Sequence, residues 1–220
     1  MEGTKVNNAS LYFDVWDTII YPPNSVECSR ILEGIVEKSP YAKGSFFGEW
    51  KNYWFKKEKT RQEFIGHIVN VLPLLQESRN DIERAIDLYF KDVKVYPEVV
   101  DTLGELRARG YKLGIISDTG RDTKDKLEEL GLIHCFDDVH FSYSYGCVKE
   151  DGLYDKAICV TPNKRIFMIG NDPVRDYSIP AAKGIICILV DRNNRYPQIT
   201  GRVLNLREVI SKIEDELHEQ

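Results

Sequence analysis

The stretch YFDVWDTII, residues 12–20, decides the fold of this 220-residue chain. Together with Ser10 and Leu11 it begins as a short apolar run of β-favouring residues. Such a run predicts a buried strand over residues 10–16. The strand ends in an aspartate-rich turn that contains Asp14 and Asp17.

The pattern changes to a helical one over residues 24–92. Apolar residues recur there at helical spacing, for example Ile31, Ile35 and Val36. The predicted helices cover residues 25–39, 45–59, 60–75 and 79–93. We therefore predict a helical insert behind the first strand, with residues 1–22 and 93–220 as an α/β core and residues 23–92 as the insert.

Strands and helices alternate after the insert. A helix begins at Pro97 and ends at Gly110, and another over 123–131 ends at Gly131. The other predicted elements are strands at 111–117, 139–144, 165–170 and 184–190 and helices at 153–160, near 174–183 and at 204–219. This alternation predicts a Rossmann-like α/β core, a parallel sheet flanked by helices on both faces.

Composition excludes several classes of partner. The net charge of −5 lacks the concentrated basic excess of nucleic-acid binders. No apolar stretch approaches the roughly 20 residues of a membrane helix, and the polar N-terminus does not resemble a signal peptide. The five cysteines are odd in number and without CxxC spacing, so we expect reduced thiols in a cytoplasmic protein. Composition leaves the oligomeric state open.

Polar side chains follow four of the predicted strands. Ligands of parallel sheets bind beyond the carboxyl ends of the strands. The residues at these ends are Asp14, Asp17, Thr18, Ser117, Asp118, Lys149, Asn171, Asp172 and Asp176. An aspartate can attack phosphorus or carbon, carboxylates suit Mg²⁺, and a lysine with a hydroxyl can hold phosphate oxygens. The pattern predicts phosphoryl chemistry on a carboxylate nucleophile.

Four segments resemble the motifs of one family, the haloacid dehalogenase (HAD) superfamily. YFDVWDTII resembles the first motif, and VYPEVVDTLGELRARGYKLGIISDTG looks like the second. GCVKEDGLYDKAI is similar to the lysine motif and IFMIGNDPVRDYSIPAAKGI to the acidic fourth motif. The correspondence runs from residue 10 to about residue 190 in the family's order, and the helical insert occupies the position of the family's cap.

The resemblance implies a role for each matching residue. Asp14 matches the nucleophile, Thr18 and Ser117 the phosphate-binding hydroxyls, and Lys149 the lysine that neutralises charge. Mg²⁺ would be held by Asp14, the Trp16 backbone carbonyl and Asp176, with Asn171 as a further candidate ligand. The resemblance thus implies a Mg²⁺-dependent phosphatase that acts on a small phosphorylated substrate through an aspartyl-phosphate.

Trp16 departs from the family pattern. It stands where the phosphatases place a general acid–base aspartate, and an indole N–H cannot protonate a leaving alkoxide. The loss of a general acid typically costs about 10²–10⁴-fold in rate. Acyl and aryl phosphates need that proton least, and Asp17 is a candidate replacement.

Three alternatives stay open. A metal-independent haloacid dehalogenase carries an aromatic residue at the position of Trp16, although Asp118 would repel its carboxylate substrate. Phosphonate hydrolases use a cap lysine, and Lys51, Lys56, Lys57 and Lys59 are available, although a solvated helix face explains this run as well. The third alternative is a catalytically impaired member that only binds a phosphorylated ligand or a protein.

Overall fold

A parallel six-stranded sheet organises the protein. A computed structural model describes residues 9–37, 40–161 and 165–218. The strands are Ala9–Phe13 (β1), Ile20–Tyr21 (β2), Lys94–Val95 (β3), Lys112–Ser117 (β4), Asp138–Phe141 (β5), Arg165–Gly170 (β6), Ile186–Val190 (β7) and Arg202–Val203 (β8). The order in the sheet is β5-β4-β1-β6-β7-β8. Phe13 of β1 pairs with Ile115 of β4 and Ile169 of β6, so the chain leaves β1 between two neighbouring strand ends.

Helices cover both faces of this sheet. The α-helices of the described residues, of which α1–α4 form a separate segment, are Ser25–Val36 (α1), Pro40–Glu49 (α2), Arg61–Val71 (α3), Arg79–Phe90 (α4), Val99–Ala108 (α5), Asp122–Glu129 (α6), Ser142–Tyr145 (α7), Leu153–Val160 (α8), Ile179–Ala181 (α9) and Val209–His218 (α10). Alternate residues of a strand point to opposite faces. Leu11 and Phe13 pack with α5, α6 and α10, whereas Tyr12 packs with α8. The predicted fold class, a Rossmann-like α/β core with flanking helices, is confirmed.

The predicted helix ends at Gly110 and Gly131 are confirmed. Both glycines have the positive φ of a helix C-terminus, 83° and 70°. The helix predicted from Pro97 begins two residues later, at Val99. Among the described residues no helix is both long and apolar enough to cross a bilayer.

Other predicted boundaries were wrong. The strand predicted at 139–144 ends at Phe141, because the Ser142 hydroxyl accepts a hydrogen bond from the Thr119 amide at 2.9 Å and a helical turn follows. The first strand ends at Phe13 rather than residue 16, since the backbone enters the left-handed region at Asp17.

Two of the predicted helices have different bounds in the structure. The one predicted at 45–59 ends as a π-helical turn, Trp50–Trp54, because a capping box formed by Thr60 and Glu63 begins the next helix. The helix near 174–183 begins one residue earlier, as the π-helical turn Pro173–Ser178, and α9 ends at Ala181.

The helical segment α1–α4 has its own apolar cluster. Phe46, Trp54 and Phe64 are buried there, apart from the apolar groups that cover the sheet. The short antiparallel pair β2–β3, which the sequence did not predict, brings the entrance and exit of the segment side by side. Trp16 packs against both this cluster and the main core. The segment lies inside the predicted insert, and the boundaries of the predicted domains stay a prediction.

An ion pair holds the turn after β1 against the core. Glu98 accepts hydrogen bonds from Arg192 Nη1 at 2.6 Å and from the Leu206 amide at 3.2 Å. Arg192 Nη2 also donates to the Thr18 carbonyl at 2.9 Å. Burial by itself would raise the pKa of Glu98, but these hydrogen bonds bring it below its usual range. The charged carboxylate therefore favours the folded state.

The contribution of Glu98 to the free energy of unfolding should depend on pH. Because its pKa is lower in the folded chain, the stabilisation is present at neutral pH and is lost as the pH falls through the folded-state value. We expect Glu98→Gln to lower the free energy of unfolding by about 1–2 kcal/mol at pH 7, and by less at acidic pH. Urea denaturation at several pH values measures this.

The matched control is Glu105→Gln, which removes an exposed pair with Arg109 and should cost about 0.5 kcal/mol or less. An equal loss for both variants, or a loss that does not change with pH, would contradict the role given to Glu98.

Candidate active site

The centre of the candidate site is a buried lysine between two carboxylates. Lys149 Nζ lies 2.5 Å from Oδ1 of Asp14 and 2.5 Å from Oδ1 of Asp176. The three side chains come from separate segments of the chain and are nearly inaccessible to solvent. Burial alone would lower the pKa of Lys149, but the two carboxylates raise it well above its usual value. The lysine is therefore a fixed positive charge.

Asp176 is held in place by its backbone surroundings. Its Oδ2 accepts a hydrogen bond from the Asp172 amide at 3.0 Å. A Cβ atom on Gly170, the last residue of β6, would lie 2.4 Å from the Asp176 carboxyl group, so only glycine permits this approach. Burial raises the pKa of Asp176 to about 6, with a further increase from Asp14 and an opposing effect from Lys149.

Two further acids shape the surrounding loops. Asp118 Oδ1 accepts a hydrogen bond from the Lys149 amide at 2.8 Å, which connects the end of β4 to the lysine loop. Asp172 caps the π-helical turn through the amides of Val174 and Arg175. The Arg175 guanidinium donates two bonds to Asp172 Oδ2, at 3.0 and 2.9 Å. The sequence identified Asp118 and Asp172 as strand-end residues but gave no role to Arg175.

These residues line a small cavity of about 160 Å³. Its charged side chains are Asp14, Asp17, Asp118, Asp172, Asp176, Lys149 and Arg175. Five carboxylates against two cations give the lining a formal charge of −3. Phe55, which follows the π-helical turn in the middle of the helical segment, also lines this cavity, so the segment covers part of it.

The predicted hydroxyls lie close by but are not among the residues that line the cavity. Thr18 is fully buried, and its hydroxyl lies 3.4 Å from Oδ1 of Asn171, which does line it. Ser117 is also fully buried at the end of β4, and among the described residues its Oγ has no hydrogen-bond partner. An orphaned hydroxyl at this strand end is free to bind a ligand oxygen.

The donors predicted for a metal ion are all oxygens. Asp14 Oδ2 accepts no hydrogen bond from any described residue, so one carboxylate oxygen stays available beside Lys149. Within the described ranges, no three acidic, histidine or cysteine side chains come close enough to hold a metal by themselves. Mg²⁺ needs fewer protein ligands, because it usually binds one or two carboxylates together with phosphate oxygens and waters. The carboxylates of Asp14 and Asp176 fit that donor set.

Trp16 has a structural role at the edge of the cavity. Its indole N–H donates to the hydroxyls of Thr119 and Thr123, at 3.3 and 3.1 Å. Its ring packs against Tyr89 and Phe90 of α4, with centroids 5.0 and 5.6 Å apart. The N–H is therefore already engaged with protein groups, and the ring connects the helical segment to the core.

Asp17 lines the cavity one residue further on. It has a φ of 58°, a left-handed conformation that aspartate and asparagine tolerate better than most residues. Desolvation raises its pKa, although Arg195 and Arg192 act in the opposite direction. Asp17 thus lines the same cavity as Asp14, from a tight turn.

The lysine-rich run KNYWFKKEKTR, residues 51–61, also contains aromatic residues, and its side chains have different environments. Trp54 is buried in the helical cluster, and Tyr53 stacks on His67 with centroids 3.7 Å apart. Lys51 forms an ion pair with Glu150, and Lys56 forms one with Asp151. Part of this run therefore contacts the lysine loop of the core.

Two proteins similar in sequence are named as phosphatases. One is the glyceraldehyde 3-phosphate phosphatase of Methanothermobacter thermautotrophicus, 33% identical over 107 residues, which are 46% of this chain and 47% of that protein. The other is the glyceraldehyde 3-phosphate phosphatase of Methanopyrus kandleri, 36% identical over 84 residues, or 37% of this chain and 30% of that protein. The aligned regions thus span less than half of either relative.

Solved structures share the fold over nearly the whole chain. A HAD phosphatase from Thermococcus onnurineus has a TM-score of 0.65 at 19% identity, over 93% of this chain and 97% of that one. An L-2-haloacid dehalogenase from Xanthobacter autotrophicus has a TM-score of 0.59 at 15% identity, over 94% and 98%. Similarity at this level of identity shows the fold and does not separate the two activities.

The family itself follows from the sequence as a whole. The family model for haloacid dehalogenase-like hydrolases matches residues 3–182. This range contains the first three motifs, the fourth except for its last three residues, and the buried lysine with its two carboxylates. This chain belongs to the haloacid dehalogenase-like hydrolase family and is a hydrolase of that superfamily.

Proposed function

We propose that this hydrolase is a Mg²⁺-dependent phosphatase that acts on a small phosphorylated substrate through an aspartyl-phosphate on Asp14. The observation that supports this most is the charge of the cavity, five carboxylates against two cations. A phosphate dianion would be repelled from a lining of formal charge −3. A bound divalent cation removes most of this repulsion, and the phosphatase names of the two relatives agree with such a substrate.

Each residue has a part in binding or reaction. Asp14 and Asp176 would hold Mg²⁺ with the Trp16 carbonyl, and Asn171 is a further candidate ligand. The ion, when bound, polarises the phosphoryl group and offsets its charge. Lys149 compensates the charge between Asp14 and Asp176, and the buried hydroxyls of Thr18 and Ser117 would bind phosphoryl oxygens.

The reaction has two steps. A carboxylate oxygen of Asp14 attacks phosphorus, and the bond from phosphorus to the leaving oxygen breaks with its electron pair on that oxygen. Water then attacks phosphorus, the Asp14–phosphate bond breaks, and the carboxylate and inorganic phosphate are released. The net change is hydrolysis of one phosphate monoester or anhydride by one water.

The leaving group receives no proton from Trp16. The indole N–H is bonded to Thr119 and Thr123 and is not acidic at neutral pH. The first step is therefore restricted to leaving groups that depart as stable anions, such as acyl and aryl oxygens. We propose that the helical segment, which contributes Phe55 to the cavity, acts as the cap that limits the access of water.

Two alternatives receive less support. A haloacid dehalogenase binds a carboxylate substrate, which the excess of negative charge in the cavity disfavours. A binding protein without activity would not need a lysine between two carboxylates, since burial of three charges is costly unless they serve a purpose.

We expect Asp14→Asn to lower the hydrolysis of acetyl phosphate by about 10³-fold or more, because the nucleophile is lost. EDTA should abolish the activity of the native chain, and Mg²⁺ should restore it. The native chain should release no chloride from 2-chloropropionate. Phosphate and chloride release measure these outcomes.

Asp155→Asn, an exposed carboxylate paired with Lys183, is the control and should keep full activity. Phosphatase activity that survives Asp14→Asn would refute the nucleophile. Chloride release in EDTA without phosphate release would identify a dehalogenase.

The dependence on the leaving group tests the role of Trp16. We expect kcat/KM to fall steeply as the pKa of the leaving alcohol or phenol rises, because no group protonates the departing oxygen. Asparagine tolerates the left-handed backbone conformation of residue 17 as aspartate does. We therefore expect Asp17→Asn to leave the slope of log(kcat/KM) against the pKa of the leaving group unchanged. A series of substituted phenyl phosphates measures it.

Alkyl phosphates that react as fast as phenyl phosphate would contradict the absence of a general acid. A slope that steepens in Asp17→Asn would show instead that Asp17 protonates the leaving group.

A further inference from the structure

A second cavity adjoins that of the candidate nucleophile. Its volume is about 210 Å³, and three of its lining residues, Phe55, Asp118 and Arg175, also line the nucleophile's cavity. Its other walls come from Phe47 and Trp50 of the helical segment and from the Lys51–Glu150 ion pair. Because these three residues line both cavities, the second cavity lies directly beside the one that contains Asp14.

Three of the seven residues that line the second cavity are aromatic, and the other four are charged. Phe47, Trp50 and Phe55 provide three rings, and Phe47 is 46% exposed although it is a large apolar side chain. An apolar protein cavity of about 150 Å³ is large enough to bind benzene. The second cavity therefore has room for one aromatic ring. Aromatic rings attract one another in offset and edge-on arrangements beyond the effect of burial alone.

The chemistry of the leaving group points to the same ligand. Trp16 occupies the position of a general acid and has its N–H bonded to Thr119 and Thr123. A phenol, with a pKa of about 10 like that of tyrosine, departs as its anion far more readily than an alkyl alcohol does. The carboxylate of an acyl phosphate also departs without a proton. A small acyl group, however, does not account for the three aromatic rings that line the neighbouring cavity. The two observations are independent, since one concerns a hydrogen bond and the other the walls of a neighbouring cavity.

We propose that the substrates of this site are aryl phosphates, and that the aromatic leaving group binds among Phe47, Trp50 and Phe55. This rests on the proposed phosphatase function. Asp14 attacks phosphorus, the bond between phosphorus and the aryl oxygen breaks, and the phenolate takes its proton from water. Water then cleaves the aspartyl-phosphate, so that one aryl phosphate and one water yield one phenol and one inorganic phosphate.

The test compares phenyl phosphate with acetyl phosphate in Mg²⁺. We expect Phe47→Ala to lower the ratio of the two kcat/KM values by about 3–10-fold, as the loss of one aromatic contact predicts. Phenylphosphonate should become a weaker competitive inhibitor by a similar factor, whereas inhibition by methylphosphonate should change less. Trp50→Leu is the second variant, with the same expectation. Val100→Ala, an exposed apolar residue on α5, is the control and should leave the ratio unchanged.

Each outcome decides between the proposals. A lower ratio in both variants, together with weaker inhibition by phenylphosphonate, supports the aromatic subsite. Hydrolysis of acetyl phosphate through Asp14 with an unchanged ratio in Phe47→Ala and Trp50→Leu would overturn the subsite and leave the phosphatase function in place. No hydrolysis of either compound would reject both.

Discussion

The ammonium group of Lys149 lies between the carboxylates of Asp14 and Asp176, 2.5 Å from each, and the arrangement of the site depends on it. Without the lysine, two buried carboxylates would face each other and one of them would take up a proton. With it, a positive charge lies against both carboxylates in a nearly dry environment. The Asp118 carboxylate holds the lysine's backbone, and the absence of a side chain at Gly170 lets Asp176 approach. The topology of the sheet therefore supplies the geometry, and the lysine makes its charges compatible.

The parts of this arrangement that follow from strand ends could be predicted from the sequence. Buried strands such as β1, β4, β6 and β7 carry strong apolar signals, and the parallel order brings their carboxyl ends together. Short elements carry no such signal. The strands β2, β3 and β8 have two residues each. The helical turn Ser142–Tyr145 depends on a hydrogen bond from a distant loop. Long-range contacts determine whether these short elements form, so local sequence patterns do not predict them.

The candidate site likewise has features that the sequence predicts and features that it does not. Asp14, Lys149 and Asp176 could be predicted to converge, although their roles in catalysis stay a prediction. The engagement of Arg175 with Asp172 could not, because it depends on a π-helical turn that local periodicity does not indicate. Nor could the sequence show that Phe55 lines the cavity while Trp54, one residue earlier, is buried in the helical cluster. Adjacent aromatic residues face different surroundings only once the helices have packed.

Trp16 connects the fold to the chemistry. Its ring joins the helical segment to the core through Tyr89 and Phe90, and its N–H is held by two threonines. The position that would serve as a general acid therefore contributes packing instead. A phosphatase with this arrangement depends on the substrate to provide a stable leaving anion, and the neighbouring aromatic cavity agrees with a ring that can do so.

The proposed mechanism requires that Asp14 become phosphorylated during turnover. The most direct measurement is an acid quench during a single turnover of acetyl phosphate in Mg²⁺, followed by borohydride reduction and mass spectrometry of the peptide that contains residue 14. An aspartyl-phosphate at that position is reduced to homoserine, and this is the predicted result. Release of phosphate without any modification of Asp14 would contradict this mechanism.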